Sequence, residues 1–254
     1  MILENFKLDG KVAIVTGGAV GLGRGMAIGL AQAGANIVAV GHTEEDHGVV
    51  AEIESFGRQA IYIQADLTSI EPISTIVEKT VATFGHVDIL VNNAGIIRRE
   101  DSVNFTEQDW DDVMNINVKT VFFFSQAVAN QFLKQQTGGK IINIASMLSF
   151  QGGIRVPSYT ASKSGVKGIT MLMANEWAKH GININGIAPG YMATDNTAAL
   201  RADEDRNKAI LERIPADRWG DPEDLAGAAV FLASKASDYI NGYTLAVDGG
   251  WLAR

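Results

Sequence analysis

Tyr159 and Lys163 stand four residues apart just after Pro157, and Ser146 lies thirteen positions upstream of the tyrosine. A spacing of four puts both side chains on one face of a helix, about one turn apart. An ammonium held that close favours a phenolate and should draw the tyrosine pKa below its ordinary value of about 10. Such a pair could move a proton on or off an alcohol oxygen, with a serine hydroxyl as a further hydrogen-bond donor. The same spacing also occurs where a surface tyrosine merely stacks on a lysine stem. The elements that hold the three residues must therefore decide between the readings.

Those elements alternate throughout the chain. Short apolar runs read as strands at Lys11–Thr16, Asn36–Val40, Ala60–Gln64, Asp88–Val91, Lys140–Ala145, Ile182–Ile187 and Thr244–Val247. Helical patterns fall between them at Leu22–Ala33, Glu44–Phe56, Pro72–Phe84, Glu107–Gln136, Ser158–Lys179 and Pro222–Ser234. Seven strands separated by helices predict an α/β fold, a doubly wound parallel sheet with helices on both faces. No linker, repeat or low-complexity stretch interrupts the alternation, so residues 1–254 read as a single domain. The segment 191–213 breaks the rhythm with Arg201, Asp203, Glu204, Asp205, Arg206, Lys208, Glu212 and Arg213. It follows a strand's C-terminal end, where a substrate lid would lie, although a solvated helical face carries the same charges.

Composition narrows the classes. Hydrophobic residues make up 46% of the chain and charged residues 20%, and the 27 glycines and 5 prolines show no repeat period, so neither a collagen-like nor a disordered chain is indicated. Cysteine is absent, which excludes disulfides and thiolate metal sites and fits a reducing compartment. The histidines His42, His47, His86 and His180 are scattered without zinc spacing, so no metal is expected. A net charge of −8 argues against a nucleic-acid or anionic-membrane surface, and no stretch of about 18 apolar residues is present to span a bilayer. The first residues lack a secretory pattern, so the expected location is the cytoplasm.

After the first strand the chain reads Thr16-Gly17-Gly18-Ala19-Val20-Gly21-Leu22-Gly23. Glycines let a backbone approach a pyrophosphate, and the following helix offers its N-terminus to the anion. The spacing T-G-x-x-x-G-x-G resembles the nucleotide-binding turn of the short-chain dehydrogenase/reductase family. Further matches follow in order: Asp66 with Leu67, then Asn92-Asn93-Ala94-Gly95, Asn117, Ser146, Tyr159-x-x-x-Lys163, and Pro189-Gly190 with Thr194.

The resemblance covers the whole chain and implies a Rossmann-like fold and hydride transfer between a nicotinamide and a secondary alcohol or ketone. Tyr159 would be the general acid/base, and Lys163 would lower its pKa and hold the ribose hydroxyls. Ser146 would bond the substrate oxygen, and Asn117 would anchor a water linking Lys163 to solvent. Gly17, Gly21, Leu22, Gly23, His42, Asp66, Leu67, Asn93, Ala94, Gly95, Tyr159, Lys163, Pro189, Gly190 and Thr194 would line the cofactor. Family members that prefer NAD end the second strand in an acid, and those that prefer NADP carry a basic residue nearby. Here Gly41-His42 departs from both patterns, and the lack of a fixed cation favours NAD without excluding NADP.

Arg98, Arg99 and Arg155 flank the expected cleft of an otherwise acidic chain, and an arginine fork suits a carboxylate. Arg98, Arg155, Ser146 and Tyr159 are the expected substrate contacts. The segments Asn92–Asp101, Ser146–Lys163, Pro189–Thr194 and Val247–Arg254 resemble a bacterial subgroup that acts on deoxy-keto sugar acids, 2-keto-3-deoxygluconate or 2-deoxygluconate. Gluconate 5-dehydrogenation and 3-oxoacyl-thioester reduction use the same fold and stay open. A non-catalytic nucleotide-binding regulator is disfavoured because all four of Asn117, Ser146, Tyr159 and Lys163 are present. The resemblance also implies a homotetramer built through the long helices 107–136 and 158–179.

Overall fold

The computed structural model describes Met1–Arg254. Seven strands, β1 (Val12–Thr16), β2 (Asn36–Gly41), β3 (Ala60–Gln64), β4 (Ile89–Asn92), β5 (Gly139–Ile144), β6 (Ile182–Pro189) and β7 (Thr244–Val247), form one sheet in the order β3-β2-β1-β4-β5-β6-β7. Every pairing is parallel. The helices are α1 (Gly21–Gln32), α2 (Val49–Ser55), α3 (Ile73–Phe84), α4 (Glu107–Met114), α5 (Thr120–Gln135), α6 (Pro157–Trp177), α7 (Ala198–Ala202), α8 (Glu204–Leu211) and α9 (Ala226–Ala233). The fold is a Rossmann-like doubly wound sheet.

Burial explains why the strands are continuous apolar runs. All five residues of β1 are buried, as expected for a strand covered on both faces. Successive side chains then serve opposite layers. Ala13 and Val15 join a core with Met26 and Leu30 of α1 and with Ala229 and Leu232 of α9. Val12 and Ile14 join the other, with Ile76 of α3, Phe124 and Phe132 of α5, and Met173 of α6.

One polar chain crosses this second layer. The Asn92 amide donates to the Ser125 hydroxyl and to the Asn143 side-chain oxygen, both at 2.9 Å. The Asn143 amide in turn donates to the Thr170 hydroxyl at 2.9 Å. Four elements, β4, α5, β5 and α6, are thereby pinned in mutual register by buried groups that have no access to water. Asn143→Ala should remove one of the Asn92 amide's two bonds and the donor to the Thr170 hydroxyl, which keeps its bond to the Val166 carbonyl, and cost about 1–2 kcal/mol of stability, read as a lower urea midpoint at unchanged m-value.

Two expected helices differ from the structure. The stretch predicted helical from Glu44 does not become helical until Val49. The Asp46 carboxylate instead accepts from the Gly48 and Val50 amides, and Gly48 takes φ 75°. The predicted helix 107–136 is broken in the middle by a π-helical turn at Asn115–Lys119, between α4 and α5. Such turns mark places where a helix re-aims a side chain, and this one carries Asn117.

Candidate active site

The winding of the sheet creates the cleft. The chain runs outward from β1 to β2 and β3, then returns to place β4 on the other side of β1. The loops leaving β1 and β4 diverge there, and ligands of open α/β sheets bind in that crevice. Thr16 ties the two strand ends together. Its hydroxyl donates to the Val91 carbonyl at 3.3 Å and accepts from the Asn93 and Ala94 amides at 2.9 Å each. The Asn93 side chain donates back to the Thr16 carbonyl at 2.9 Å.

The glycine turn is shaped by close approach. A Cβ on Gly23 would lie 2.0 Å from the Gly17 carbonyl oxygen, and Gly17 and Gly21 take φ 63° and 51°. A larger residue at 23 would drive α1 away from the turn whose amides open its N-terminus. A Cβ on Gly21 would come 3.8 Å from the Thr194 methyl, so the turn and the loop after β6 face one another across the cleft. Gly190 donates to the Val247 carbonyl at 3.0 Å, which anchors that loop at Pro189 to β7. Leu67 is buried, and its carbonyl accepts from the Thr120 hydroxyl at 2.9 Å. Asp66 accepts from the amide and hydroxyl of Thr68, and these bonds hold its carboxyl below the usual range. His42 is exposed at the end of β2. These residues fit a dinucleotide: a cradle that only glycine permits, at a helix N-terminus, with a narrow slot beyond it.

The chemical residues meet at the C-terminal edge of β5. Ser146, 7% exposed, follows this strand and accepts from the Leu148 amide at 3.1 Å. Pro157 opens α6 at its first position, where a missing amide costs nothing. One turn of α6 sets Tyr159 and Lys163 on the same side, with the Lys163 nitrogen 5.6 Å from the Tyr159 ring centroid. Lys163 is buried and donates to the Ile144 carbonyl at 2.6 Å.

Electrostatics here differ from the sequence expectation. The Tyr159 phenol is raised above its ordinary pKa because burial penalises the phenolate, with the Ser146 hydroxyl and the Arg99 charge pulling the other way. Lys163, turned to the Ile144 carbonyl, is itself lowered to about 8 by burial. Spacing alone shows the lysine beside the phenol but not the low-dielectric surroundings that both share.

Asn117 is fully buried on the π turn, and its amide is already committed. Its oxygen accepts from the Ile96 amide at 2.9 Å, and its nitrogen donates to the Ile96 carbonyl at 3.0 Å and the Ser162 hydroxyl at 3.1 Å. Ser162 donates onward to the Tyr159 carbonyl at 2.8 Å. Ser149 makes a second brace, accepting from the Ser146 amide and donating to the Lys163 carbonyl at 2.6 Å. Ser149 and Ser162 were not singled out from the sequence. The only signal was their place three residues after Ser146 and after Tyr159.

The arginines separate once their partners are known. Arg98 forms ion pairs with Asp109 and Asp112 of α4 at 3.4 and 3.3 Å. Arg155, at φ 63°, pairs with Glu100 and Asp101 at 3.6 and 3.0 Å on the surface. Both expected substrate arginines are thus held by carboxylates. Arg99 has no carboxylate partner: it donates only to the Asn196 carbonyl at 3.4 Å, and its charge reaches Tyr159. Segment 191–213 forms α7 and α8 and closes an apolar cluster of Ile210, Ile214, Met147 and Trp251 beside the Ser146 loop.

Residues 11–205 match the profile of the short chain dehydrogenases. The chain belongs to that family. As a family member it is a nicotinamide-dependent oxidoreductase acting on a CH–OH group. It is 66% identical, over 100% of both chains, to the 2-dehydro-3-deoxy-D-gluconate 5-dehydrogenase of Dickeya dadantii. Among solved structures it is similar to an Agrobacterium tumefaciens protein provisionally assigned as a 2-deoxy-D-gluconate 3-dehydrogenase, with bound NADP. That similarity is 55% identity and TM-score 0.93, covering 98% of this chain and 99% of the other. It is also similar to a gluconate 5-dehydrogenase from Burkholderia cenocepacia in complex with NADP and tartrate, at 40% identity and TM-score 0.95 over 100% of both chains. No cluster of three or more His, Asp or Glu could hold a metal ion, and no helix is long and apolar enough to cross a membrane.

Proposed function

We propose that the protein oxidises the C5 hydroxyl of 2-keto-3-deoxygluconate, also named 2-dehydro-3-deoxy-D-gluconate, to 2,5-diketo-3-deoxygluconate. The observation that carries this reading is the end-to-end likeness to the Dickeya enzyme. Arg99 supports it from this chain's own geometry, as an unpaired cation beside Tyr159 in a protein of net charge −8.

The bound nicotinamide supplies the hydride acceptor. Ser146 donates a hydrogen bond to the reacting oxygen and holds it against the phenol. Tyr159 takes the hydroxyl proton, and the alkoxide character this gives the oxygen drives loss of the C5 hydride as the carbonyl forms. The Ser146 hydroxyl and the Arg99 charge favour the phenolate against burial, and Lys163 keeps its ammonium one turn of α6 from the phenol. Asn117 and Ser162 keep the Tyr159 turn of α6 in place, and Ser149 locks Ser146 to the backbone of Lys163. Arg99 receives the sugar-acid carboxylate, and the cover formed by 191–213 shuts over it. The cytoplasm is the proposed site of action. The apolar residues that α5 and α6 leave exposed, Leu133, Met171 and Leu172, support assembly as a homotetramer.

The test follows nicotinamide absorbance with purified protein and 2-keto-3-deoxygluconate, in parallel with NAD and NADP. Rapid reduction supports the reading. Silence with this substrate and rapid reduction with gluconate would transfer it to gluconate 5-dehydrogenation. Arg99→Ala should raise KM for the sugar acid about 10- to 100-fold with little change in kcat, because it removes a charge-assisted contact made in ground and transition states alike. Arg98→Ala and Arg155→Ala should leave KM within about threefold, since solvent-exposed ion pairs elsewhere on the surface are all they lose. Equal effects at Arg98 and Arg99 in steady-state kinetics would break this assignment.

A further inference from the structure

Gly41 closes β2 beside the adenosine end of the cleft, where a fold of this type most simply sets an acid against a ribose 2′-hydroxyl. The structure shows why no side chain stands there. A Cβ on Gly41 would lie 2.4 Å from the Tyr62 hydroxyl and 3.0 and 3.1 Å from two carbons of its ring. The ring is not free to leave. It is half-buried, packs against the core on the α1 side of the sheet, and donates its hydroxyl to the Thr43 carbonyl at 2.7 Å. The Thr43 hydroxyl stands 3.5 Å from the same phenol and donates to the Glu45 carbonyl at 3.1 Å. The chain from Gly41 to Thr43 is therefore folded around Tyr62, which fills the volume that a residue-41 side chain would need.

No fixed charge takes the place of the missing acid. His42 and Glu44 are exposed, and Arg24, the basic residue of α1, is paired with Glu52 of α2. An acid at position 41 would accept from a 2′-hydroxyl and repel a 2′-phosphate. A free arginine would do the reverse.

We propose that Tyr62 sets cofactor choice: by excluding every side chain from position 41 it keeps the ribose corner without fixed charge, so NAD and NADP bind with comparable affinity. The inference concerns nucleotide binding alone and is independent of which sugar acid is turned over.

Calorimetric titration of NAD and NADP into substrate-free protein tests it, with cofactor-induced shifts in thermal midpoint as a second readout. The wild-type dissociation constants should agree within about tenfold. Gly41→Asp alone should weaken both nucleotides by about tenfold and lower the melting temperature, because the carboxylate meets the ring. Gly41→Asp with Tyr62→Val should restore NAD binding and weaken NADP about a hundredfold. Gly41→Ala, alone and with Tyr62→Val, gives the same cycle without a charge, should the acidic pair fail to fold. A wild-type preference beyond a hundredfold for either cofactor overturns the proposal. So does a Gly41→Asp single variant as NAD-selective as the double, or a Gly41→Ala penalty that Tyr62→Val does not relieve. Loss of sugar-acid turnover with these titrations intact would strike the substrate assignment instead.

Discussion

Tyr159→Phe is expected to lower kcat by about a thousandfold while leaving the dissociation constant of the nicotinamide cofactor within about twofold. The loss is that of a positioned acid/base, which contributes about 10²–10⁴ in rate. The ring stays, so its packing at the head of α6 and the Ser162 bond to the residue-159 carbonyl stay too. Alcohol oxidation needs the phenolate. Because burial raises the Tyr159 pKa, kcat/KM for oxidation should climb with pH through the neutral range and above, and ketone reduction should fall over the same range. The variant's residual rate should be flat. Activity within tenfold of wild type, or an unchanged alkaline limb in the variant, would remove Tyr159 from the proposed proton step.

Lys163→Met should cost about a hundredfold in kcat and yet yield a more stable protein at pH 7. The two effects share one cause. Burial lowers the Lys163 pKa from 10.5 to about 8, so holding the ammonium in the fold costs roughly 3 kcal/mol. Below pH 8 the lysine is charged in both folded and unfolded chains, and that cost is present in full. Between about 8 and 10.5 the unfolded chain carries the extra proton, so stability rises with pH as the fold sheds it. Methionine occupies similar volume without the charge, at the expense of the bond to Ile144. A net gain of about 1–2 kcal/mol at pH 7 follows, shrinking towards pH 10. Urea unfolding at both pH values measures it. A methionine variant less stable than wild type at pH 7 would mean that the ammonium is held favourably after all.

How much of this was legible in the sequence depends on whether the cause was local. The strands β3 and β7, at the two edges of the sheet and only partly buried, have the bounds read from their sequence, because turn-forming residues such as Gly57 and the Asn241-Gly242 and Asp248-Gly249 pairs bracket each short run. The glycine turn and the Tyr159/Lys163 spacing were likewise legible, since each is a property of a few consecutive residues. The late start of α2 was legible in principle: Asp46 and Gly48 are turn chemistry, but the acids around them read equally well as a first helical turn. The π turn at Asn115–Lys119 was not, because the apolar pattern runs through it without a break. The arginines were hardest. Whether Arg98 or Arg99 is free depends on how α4 packs, which brings Asp109 and Asp112 against one and not the other. The same holds for Tyr62, whose claim on the space beside Gly41 exists only once β2 and β3 are paired.

The Thr16 hydroxyl and the Val91 carbonyl that it meets are 75 residues apart in the chain. During synthesis β1, β2 and β3 emerge first, and β1 then presents a bare edge until β4 follows. The glycine turn is on hand early, but the opposite wall of its slot is not. Nucleotide therefore has nothing to grip in a half-made chain, and it rewards only molecules in which both halves of the sheet have docked. Added cofactor should rescue destabilised variants all or none, equally for lesions in β2 and in β6.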